Sequence, residues 1–279
     1  MAQAPVNKII PLSVVDGPGN RTSIFLQACN IKCAYCHNPE TQQLCISCGA
    51  CVPHCPAKAL SMQDGKVVWD DQICEGCDKC IEVCPHFASP KVKLMSAQQV
   101  FDQVKGNIPF IRGITVSGGE CTLYPEFLKE LFALCKAEGL SCLIDSNGMI
   151  DLSLYPQLME FCEGVMLDVK SWDSLTYEKL TGANNAMVKK NLKFLADRNL
   201  LTEIRIVCLE GRVDAPEAIL GIAQTIGSQL CETVRLKLIK FRHFGVRTEL
   251  KNAQSPTDEY MQTLKDIAVK SGFGNVLVV

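Results

Sequence analysis

The sequence lacks a surplus of charge of either sign, a long apolar run and an apolar segment at its N-terminus. Its 28 Lys and Arg residues stand against 30 Asp and Glu residues, and with no basic run we expect no nucleic-acid partner. No stretch of about 18 uninterrupted apolar residues is present, so we expect no membrane span. Residues 1–8 lack the apolar core of a secretory signal, and we therefore expect a cytoplasmic protein.

Cysteine, in contrast, is abundant. The chain of 279 residues has 17 cysteines, and 11 of them fall between positions 29 and 84. In a cytosolic protein such density indicates metal sites rather than disulfides. A hydrophobic content of 47% is ample for a buried core, in one large domain or two smaller ones. The six other cysteines lie mostly at apolar positions, where we expect core packing: Cys121, Cys135, Cys142, Cys162, Cys208 and Cys231.

The first three cysteines, Cys29, Cys33 and Cys36, have the spacing C-x3-C-x2-C and follow an apolar run at residues 23–28. Thiolates are soft ligands that suit iron–sulfur clusters and zinc. A four-iron cubane normally takes four cysteines, so three close cysteines would leave one iron open to a small molecule. A zinc knuckle is the alternative at this point.

This stretch resembles the signature of the radical S-adenosylmethionine (SAM) enzymes, whose open iron is chelated by the methionine amino and carboxylate groups. The flanking residues Asp16-Gly-Pro-Gly19, Arg21, Phe25 and His37-Asn-Pro39, together with the three cysteines, resemble the glycyl-radical-enzyme activating enzymes. The likeness is strongest to the YjjW-type branch, which carries a two-cluster insert. Ala28 departs from the pattern, because the family usually has Gly before the first cysteine.

Two further cysteine runs form an internal repeat, each with the spacing C-x2-C-x2-C-x3-C-P. This is the pattern of bacterial two-cluster ferredoxins, in which the fourth cysteine of each run ligates the other cluster. The pattern assigns Cys45, Cys48, Cys51 and Cys84 to one cubane and Cys74, Cys77, Cys80 and Cys55 to the other. A zinc ribbon is the weaker alternative. We expect residues 44–90 to form a ferredoxin-like domain inserted between 1–43 and 91–279, and its clusters to hold it together.

Outside that segment, short β-branched runs alternate with helical patterns, which predicts an α/β fold of parallel strands covered by helices. The predicted strands are 21–28, 112–117, 140–146, 164–169, 203–209 and 233–241, with 1–15 as an edge strand. The predicted helices are 124–138, 152–162, 185–198, 216–227 and 257–271. About 230 residues remain without the insert, near the lower end for barrel folds. We expect a partial (β/α)6 TIM-like barrel, as the resemblance also implies.

Strands two to six of the predicted barrel carry polar residues, mostly at the strand end, where active residues of such barrels lie, and strand five carries its Arg205 near the start. These groups are Ser117-Gly-Gly-Glu120, Asp145-Ser-Asn-Gly148, Asp168-Val-Lys170, Arg205 and Arg242-His243. Read alone, the glycines indicate a turn, Asp145 a turn or helix cap, and Asp168 with Lys170 a salt bridge.

The resemblance implies cofactor contacts for these groups and a monovalent-cation site. Gly118, Gly119 and Glu120 would grip the methionine amino group, and Lys170 with one aspartate would contact SAM. Asp145 and Asp168, with the backbone carbonyls of Ser146 and Met166, would bind Na⁺ or K⁺. The remaining expected cofactor-binding residues are Tyr35, His37, Arg205 and either Arg242 or His243, the last two as alternatives for the ribose.

The resemblance implies that the chain activates a glycyl-radical enzyme. One electron from the reduced Cys29/Cys33/Cys36 cluster would split SAM into methionine and a 5′-deoxyadenosyl radical, which would take a hydrogen from a glycine Cα of the partner. The cofactors are then three [4Fe–4S] clusters, SAM and the cation. We expect a flavodoxin or ferredoxin donor, a monomer and anaerobic conditions. The alternatives are a radical SAM enzyme acting on a small molecule and a two-cluster electron-transfer protein.

Overall fold

The computed structural model describes residues 2–243, 246 and 250–279. Within these residues the chain forms eleven β-strands and nine α-helices. The strands are β1 (Gln3–Ser13), β2 (Arg21–Leu26), β3 (Leu60–Gln63), β4 (Lys66–Trp69), β5 (Lys93–Ser96), β6 (Gly113–Gly118), β7 (Ser141–Ser146), β8 (Gly164–Asp168), β9 (Leu201–Cys208), β10 (Arg235–Lys240) and β11 (Asn275–Val278). The helices are α1 (Lys79–Glu82), α2 (Ala97–Lys105), α3 (Pro125–Ala137), α4 (Pro156–Phe161), α5 (Ser174–Thr181), α6 (Ala186–Asp197), α7 (Ala215–Ile226), α8 (Ser228–Thr233) and α9 (Asp258–Lys270).

Nine of the described strands form one sheet in the order β11-β10-β9-β8-β7-β6-β2-β1-β5. From β2 to β11 every neighbouring pair is parallel, whereas β1 is antiparallel to both β2 and β5. The six predicted barrel strands are thus confirmed, and β11 adds a seventh parallel strand. The α/β class and the mostly parallel sheet are consistent with a partial TIM-like barrel. The prediction that residues 1–15 form an edge strand is wrong, because β5 pairs with the outer side of β1.

The central parallel strands are buried, and helices pack against the face that carries their apolar side chains. In β6, Ile114 and Val116 are fully buried, and α3 turns Phe127, Leu128 and Leu131 into the same core. The six cysteines outside the motifs are all buried, as expected of core residues. None of the described helices combines the length and the apolar character needed to cross a bilayer.

Arg21 joins three strands at the start of the barrel. Its guanidinium is buried and donates to the Thr115 hydroxyl at 2.9 Å and to the carbonyl oxygens of Ile114 at 2.7 Å and Ser141 at 3.0 Å. Burial lowers the pKa of Arg21 to about 10, so the side chain remains charged at neutral pH. These bonds tie β2 to β6 and β7, and so fix the register of the strands that carry the site.

The helix predicted for residues 152–162 is interrupted. A 3₁₀ turn spans Leu152–Leu154, and α4 begins only at Pro156. Proline lacks an N–H and its ring clashes with the preceding turn, so it begins a helix more readily than it continues one. Helices α2 and α5 were not predicted, although the Ser96 and Gln99 capping box that starts α2 is visible in the sequence.

The segment between β2 and β5 contains only short elements. Strands β3 and β4 form an antiparallel hairpin, and Cys51, Leu60 and Cys80 form a small buried cluster. A parallel bridge between Gln43 and Ala88 brings the start and the end of the segment together. The Gln27 side chain, at the end of β2, donates to the Gln43 carbonyl at 2.6 Å and so attaches this junction to the barrel.

Candidate functional site

A cavity of about 850 Å³, including the space at its open mouth, lies where β6, β7, β8 and β9 meet the loop that carries the first three cysteines. We call it the main cavity. Its lining includes twelve of the residues predicted from the sequence: Cys29, Cys33, Tyr35, Cys36, His37, Gly118, Gly119, Asp145, Ser146, Asp168, Lys170 and Arg205. Parallel strands bring their carboxyl ends to one edge of the sheet, so these twelve residues converge here although they lie up to 176 positions apart in the sequence.

The cysteine loop is held by backbone hydrogen bonds to its surroundings. The Cys29 amide donates to the Gln42 carbonyl at 3.0 Å. The amides of Lys32 and Ala34 each donate at 2.8 Å to carbonyls of Thr181 and Leu180, at the end of α5. These hydrogen bonds attach the backbone of the cysteine loop to residues 42, 180 and 181.

Gly118 and Gly119 are required by close packing of the backbone. A Cβ atom on Gly118, whose φ is +119°, would lie 2.1 Å from the Leu26 carbonyl oxygen. A Cβ atom on Gly119 would lie 2.1 Å from the Ala28 carbonyl oxygen and 2.5 Å from that of Thr41. The two glycines let the end of β6 pack against the cysteine loop, besides leaving the cavity wall free of side chains.

Glu120 is placed behind the cavity wall rather than among the residues lining it. It is 1% exposed, and its carboxylate accepts hydrogen bonds from the Thr122 and Ser146 hydroxyls and from the Asn147 amide, the last at 2.7 Å. Burial raises the pKa of Glu120, while these hydrogen bonds oppose the shift. In this arrangement Glu120 holds the end of β7, and both of its carboxylate oxygens accept hydrogen bonds from protein donors.

Two carboxylate–cation pairs cross the cavity floor. Arg205 Nη1 donates to Asp145 Oδ2 at 2.7 Å, and the Ser117 hydroxyl donates to the same oxygen at 2.9 Å. Lys170 Nζ donates to Asp168 Oδ2 at 2.8 Å. These five side chains form a compact polar group with two positive and two negative charges.

The pKa values of three of these charged groups follow from burial and from the charges around them. Burial alone would lower the pKa of Lys170, but the Asp168 carboxylate and other nearby groups together outweigh it and raise that pKa well above its usual value. Burial likewise opposes charge on Asp168, yet Lys170 and Arg205 lower its pKa overall. For Asp145 burial prevails over Arg205 and raises the pKa, partly because Asp168 is near.

Tyr35 and His37 stand beside the cysteines. The Tyr35 hydroxyl is 3.5 Å from the Lys170 carbonyl oxygen, and the Lys170 ammonium lies 6.0 Å from the centre of the Tyr35 ring. His37 Nε2 is buried and has no hydrogen-bond partner among the described residues. Burial, with the charges of Lys170 and Arg242, lowers the pKa of His37.

Besides Glu120, three predicted site residues are placed outside the cavity lining. Met166 is buried in β8, and its sulfur lies 3.1 Å from Arg205 Nη2. Arg242 and His243 are both exposed, and His243 Nε2 lies 2.5 Å from the Ala253 carbonyl oxygen. The structure therefore does not bring either proposed ribose contact into the cavity.

Asn147 is a cavity residue that the sequence prediction missed. Its side-chain nitrogen lies 3.6 Å from Cys29 Sγ and 2.9 Å from the Asn30 side-chain oxygen. The sequence places Asn147 within the polar strand-end group 145–148 but does not indicate that it contacts the cysteine loop. Its direction toward the cysteine loop could not be read from the sequence, since 118 positions separate Asn147 from Cys29.

The other eight motif cysteines line two smaller cavities of about 320 Å³ each. The first, which we call the Cys45 cavity, is lined by Cys45, Cys48, Cys51 and Cys84, and the second, the Cys74 cavity, by Cys55, Cys74, Cys77 and Cys80. The grouping crosses between the two runs in the way the ferredoxin pattern predicts.

The donor sets fit four-iron clusters. Each of the two smaller cavities gathers four soft thiol ligands, and the main cavity gathers three beside polar groups. In the part of the chain that the structure describes, no three His, Cys, Asp or Glu side chains converge closely enough to hold one metal ion. Two buried nitrogens without a described partner, His37 Nε2 and Trp69 Nε1, belong to residues lining the main cavity and the Cys74 cavity.

Comparison with known proteins agrees with this site. Residues 23–221 match the Radical SAM superfamily. The choline trimethylamine-lyase activating enzyme of Oleidesulfovibrio alaskensis is 30% identical, over 80% of this chain and 77% of its own length. The indoleacetate decarboxylase activating enzyme of Tractidigestivibacter scatoligenes is 28% identical, over 97% of this chain and 96% of its own.

A solved structure shows the same fold. A domain of the pyruvate-formate lyase-activating enzyme from Bacteroides vulgatus superposes with a TM-score of 0.51 at 22% identity, covering 60% of this chain and 98% of that domain. The sequence relatives, the cysteine loop and the parallel sheet thus agree. The chain belongs to the radical SAM superfamily and, within it, to the glycyl-radical-enzyme activating enzymes.

Proposed function

We propose that the main cavity is the place where this oxidoreductase binds a [4Fe–4S] cluster and SAM and generates the radical for a partner enzyme. When bound, these cofactors supply the 5′-deoxyadenosyl radical that removes hydrogen from a glycine Cα of the partner. The observation that carries the proposal is the convergence of Cys29, Cys33 and Cys36 with the Asp145–Arg205 and Asp168–Lys170 pairs in one cavity.

The residues of the cavity have separable tasks. The three cysteines would hold three irons and leave the fourth for the methionine group of SAM. The Lys170 ammonium, protonated at neutral pH and 6.0 Å from the centre of the Tyr35 ring, suits a carboxylate of the cofactor. The cavity would orient the cofactor and limit its contact with water, which is what a radical abstraction needs from the protein.

We also infer a monovalent-cation site at Asp145 and Asp168, completed by the carbonyls of Ser146 and Met166. Among the described residues, the hydrogen bonds to the two carboxylates fall on their Oδ2 atoms. The Oδ1 atoms can then serve as hard oxygen ligands, which Na⁺ and K⁺ prefer.

For residues 44–90 we propose a ferredoxin-like domain that holds two further cubanes, giving three clusters per chain. The crossed grouping of cysteines in the Cys45 and Cys74 cavities supports it. The domain would relay electrons from a flavodoxin or ferredoxin to the main cavity. Docking the glycyl-radical partner is the second candidate role, because the junction at Gln43 and Ala88 places the segment directly beside the barrel.

We further propose a monomer that works in the cytoplasm. Eleven cysteines committed to iron–sulfur ligation need a reducing compartment, where thiols are kept from forming disulfides. The protein partners would be a glycyl-radical enzyme and the electron donor.

The test is anaerobic reconstitution followed by reduction in the presence of SAM. Three four-iron clusters should give about twelve irons per chain. We also expect 5′-deoxyadenosine in solution and a glycyl electron paramagnetic resonance (EPR) signal on the correct partner. Cys33→Ala should lose one cluster and all SAM cleavage, while Cys135→Ala, at a buried core cysteine of α3 outside the cavity lining, should keep both. Cleavage by Cys33→Ala would refute the assignment. Deoxyadenosine without a glycyl signal on any candidate partner would favour a small-molecule substrate.

A further inference from the structure

The indole nitrogen of Trp69 is a buried donor with no described partner. Trp69 ends β4 and lines the Cys74 cavity together with Cys55, Cys74, Cys77 and Cys80. Its Nε1 atom is shielded from solvent, and no hydrogen-bond acceptor is in place for it among the described residues. An indole N–H can only donate, and a buried donor left unsatisfied is costly, so an acceptor is expected at this site.

The ring is held in place from several directions. Trp69 pairs with Leu60 across the β3–β4 hairpin, and the following amide, of Asp70, donates to the Ala59 carbonyl at 2.9 Å. The Lys93 ammonium lies 5.5 Å from the ring centre, and Lys93 is itself paired with Asp71. The hairpin fixes the backbone and Lys93 covers the ring, so the indole belongs to the cavity wall.

The Cys45 cavity provides an internal comparison. Its described lining beyond the cysteines is mostly apolar, with His86 as its one ionisable side chain, and it contains no tryptophan. The Cys74 cavity has the same number of cysteines and the same volume, and its lining adds Glu75, Asp78 and Lys91 to the indole. Among the described lining residues, an indole N–H donor is therefore present in the Cys74 cavity and not in the Cys45 cavity.

We propose that Trp69 Nε1–H donates a hydrogen bond to a sulfur of the cluster in the Cys74 cavity and raises the reduction potential of that cluster. The inference rests on the two cubanes proposed for residues 44–90. Reduction adds negative charge to the sulfurs, and a fixed N–H donor stabilises the charged form more than the oxidised one. Trp69 is thus a positioning and tuning residue for one cluster of the pair.

The test replaces the indole N–H donor of Trp69 by an aromatic side chain that cannot donate a hydrogen bond. In the full chain carrying Cys33→Ala, which leaves only the two clusters of residues 44–90, Trp69→Phe should lower one midpoint potential and leave the other unchanged. We expect reduction of that cluster to become about tenfold less favourable, or about 59 mV for one electron. Trp172→Phe, at the only other tryptophan of the sequence, should shift neither potential.

A second measurement uses the wild-type chain, so it does not depend on whether a variant still binds its clusters. With indole-¹⁵N tryptophan in the wild-type chain, electron–nuclear double resonance should detect one nitrogen coupled to a reduced cluster. The coupling should persist in Trp172→Phe. If Trp69→Phe loses its cluster, this measurement still decides between a donor and a packing role.

The outcomes distinguish the role of Trp69 from the assignment of two clusters to residues 44–90, on which that role rests. Two clusters with unshifted potentials and no coupled indole nitrogen would overturn the role of Trp69 while leaving the cluster assignment intact. A wild-type chain that binds a single cluster would overturn both the role of Trp69 and the two-cluster assignment. SAM cleavage by that chain would show that the proposed catalytic site does not depend on either of them.

Discussion

The side-chain nitrogen of Asn147 lies 3.6 Å from the sulfur of Cys29, and both residues line the main cavity. Asn147 is 5% exposed, and its backbone amide donates to Glu120 Oε2 at 2.7 Å. Glu120 thereby fixes the residue that faces the cysteine. The contact links the strand-end group of β7 to the loop that we propose holds the catalytic cluster.

We expect Asn147→Ala to lower the reduction potential of the catalytic cluster. A donor to a ligating thiolate stabilises the more negative, reduced state, and its loss should disfavour reduction by about tenfold or less. The measurement is an EPR-monitored redox titration, with Asn184→Ala at an exposed position as the control. An unchanged potential in a variant with full iron content would show that the contact is only structural.

The Asp168–Lys170 pair gives a prediction about cofactor affinity. Lys170→Ala and Asp168→Ala should weaken SAM binding while leaving the iron content unchanged. Removing a hydrogen bond to a charged group costs roughly 1.5–3 kcal/mol, which is about one to two orders of magnitude in affinity. Calorimetry on the reconstituted, oxidised protein would measure this loss without turnover.

Lys190→Ala is the matched control, because Lys190 also donates to an aspartate, Asp151, at 2.6 Å, but on the surface. Surface pairs contribute little, so this variant should bind SAM normally. Equal affinity in wild type, Lys170→Ala and Asp168→Ala would remove both residues from the cofactor site.

The structure groups the eight cysteines of residues 44–90 in the two crossed sets that the sequence pattern predicts. Such a grouping can be predicted because a cubane would need its thiolates around one small core, which restricts their spacing. The strand-end residues were also predictable, since parallel strands align their carboxyl ends.

Side-chain direction was not predictable in the same way. Glu120 follows two cavity glycines in the sequence, yet the donors on Ser146 and Asn147 turn its carboxylate away from the cavity. Trp69 Nε1 was likewise invisible, because its burial depends on the packing of a short hairpin and Lys93 around it. Such contacts arise from tertiary packing, which a local pattern does not encode.

Ala28 adopts a backbone conformation that favours glycine, with φ at +80°. Such a conformation costs a residue with a Cβ roughly 1–2 kcal/mol, part of which is offset because glycine is more flexible in the unfolded chain. Ala28→Gly should therefore raise the free energy of unfolding by about 0.5–1 kcal/mol, measured as the thermal midpoint at equal cluster content and scan rate.

The control for Ala28→Gly is the reverse change at a similar backbone conformation. Gly211 has φ at +70°, and a Cβ there would meet no heavy atom within 4 Å, so Gly211→Ala introduces conformational strain without a clash. It should lower the midpoint. A lower midpoint for Ala28→Gly would mean that the methyl group of Ala28 contributes packing that outweighs the strain.

The role of residues 44–90 can be decided with the double variant Cys48→Ala and Cys77→Ala, which removes one ligand from each of the two smaller cavities. If the clusters relay electrons, activation with a flavodoxin or ferredoxin donor should slow strongly. Dithionite should restore it, because a small reductant can reach the main cavity through its open mouth. Cys231→Ala, at a buried core cysteine, should behave as wild type with either reductant.

The docking role predicts a different pattern for the same double variant. Activation of the partner should fail with both reductants, while SAM cleavage without a partner should continue, because the three cysteines of the main cavity are untouched. Circular dichroism and iron analysis would establish that the variant is folded and lacks both clusters. Normal activation by the protein donor under those conditions would contradict both roles, since electrons would then reach the Cys29, Cys33 and Cys36 loop without passing through residues 44–90.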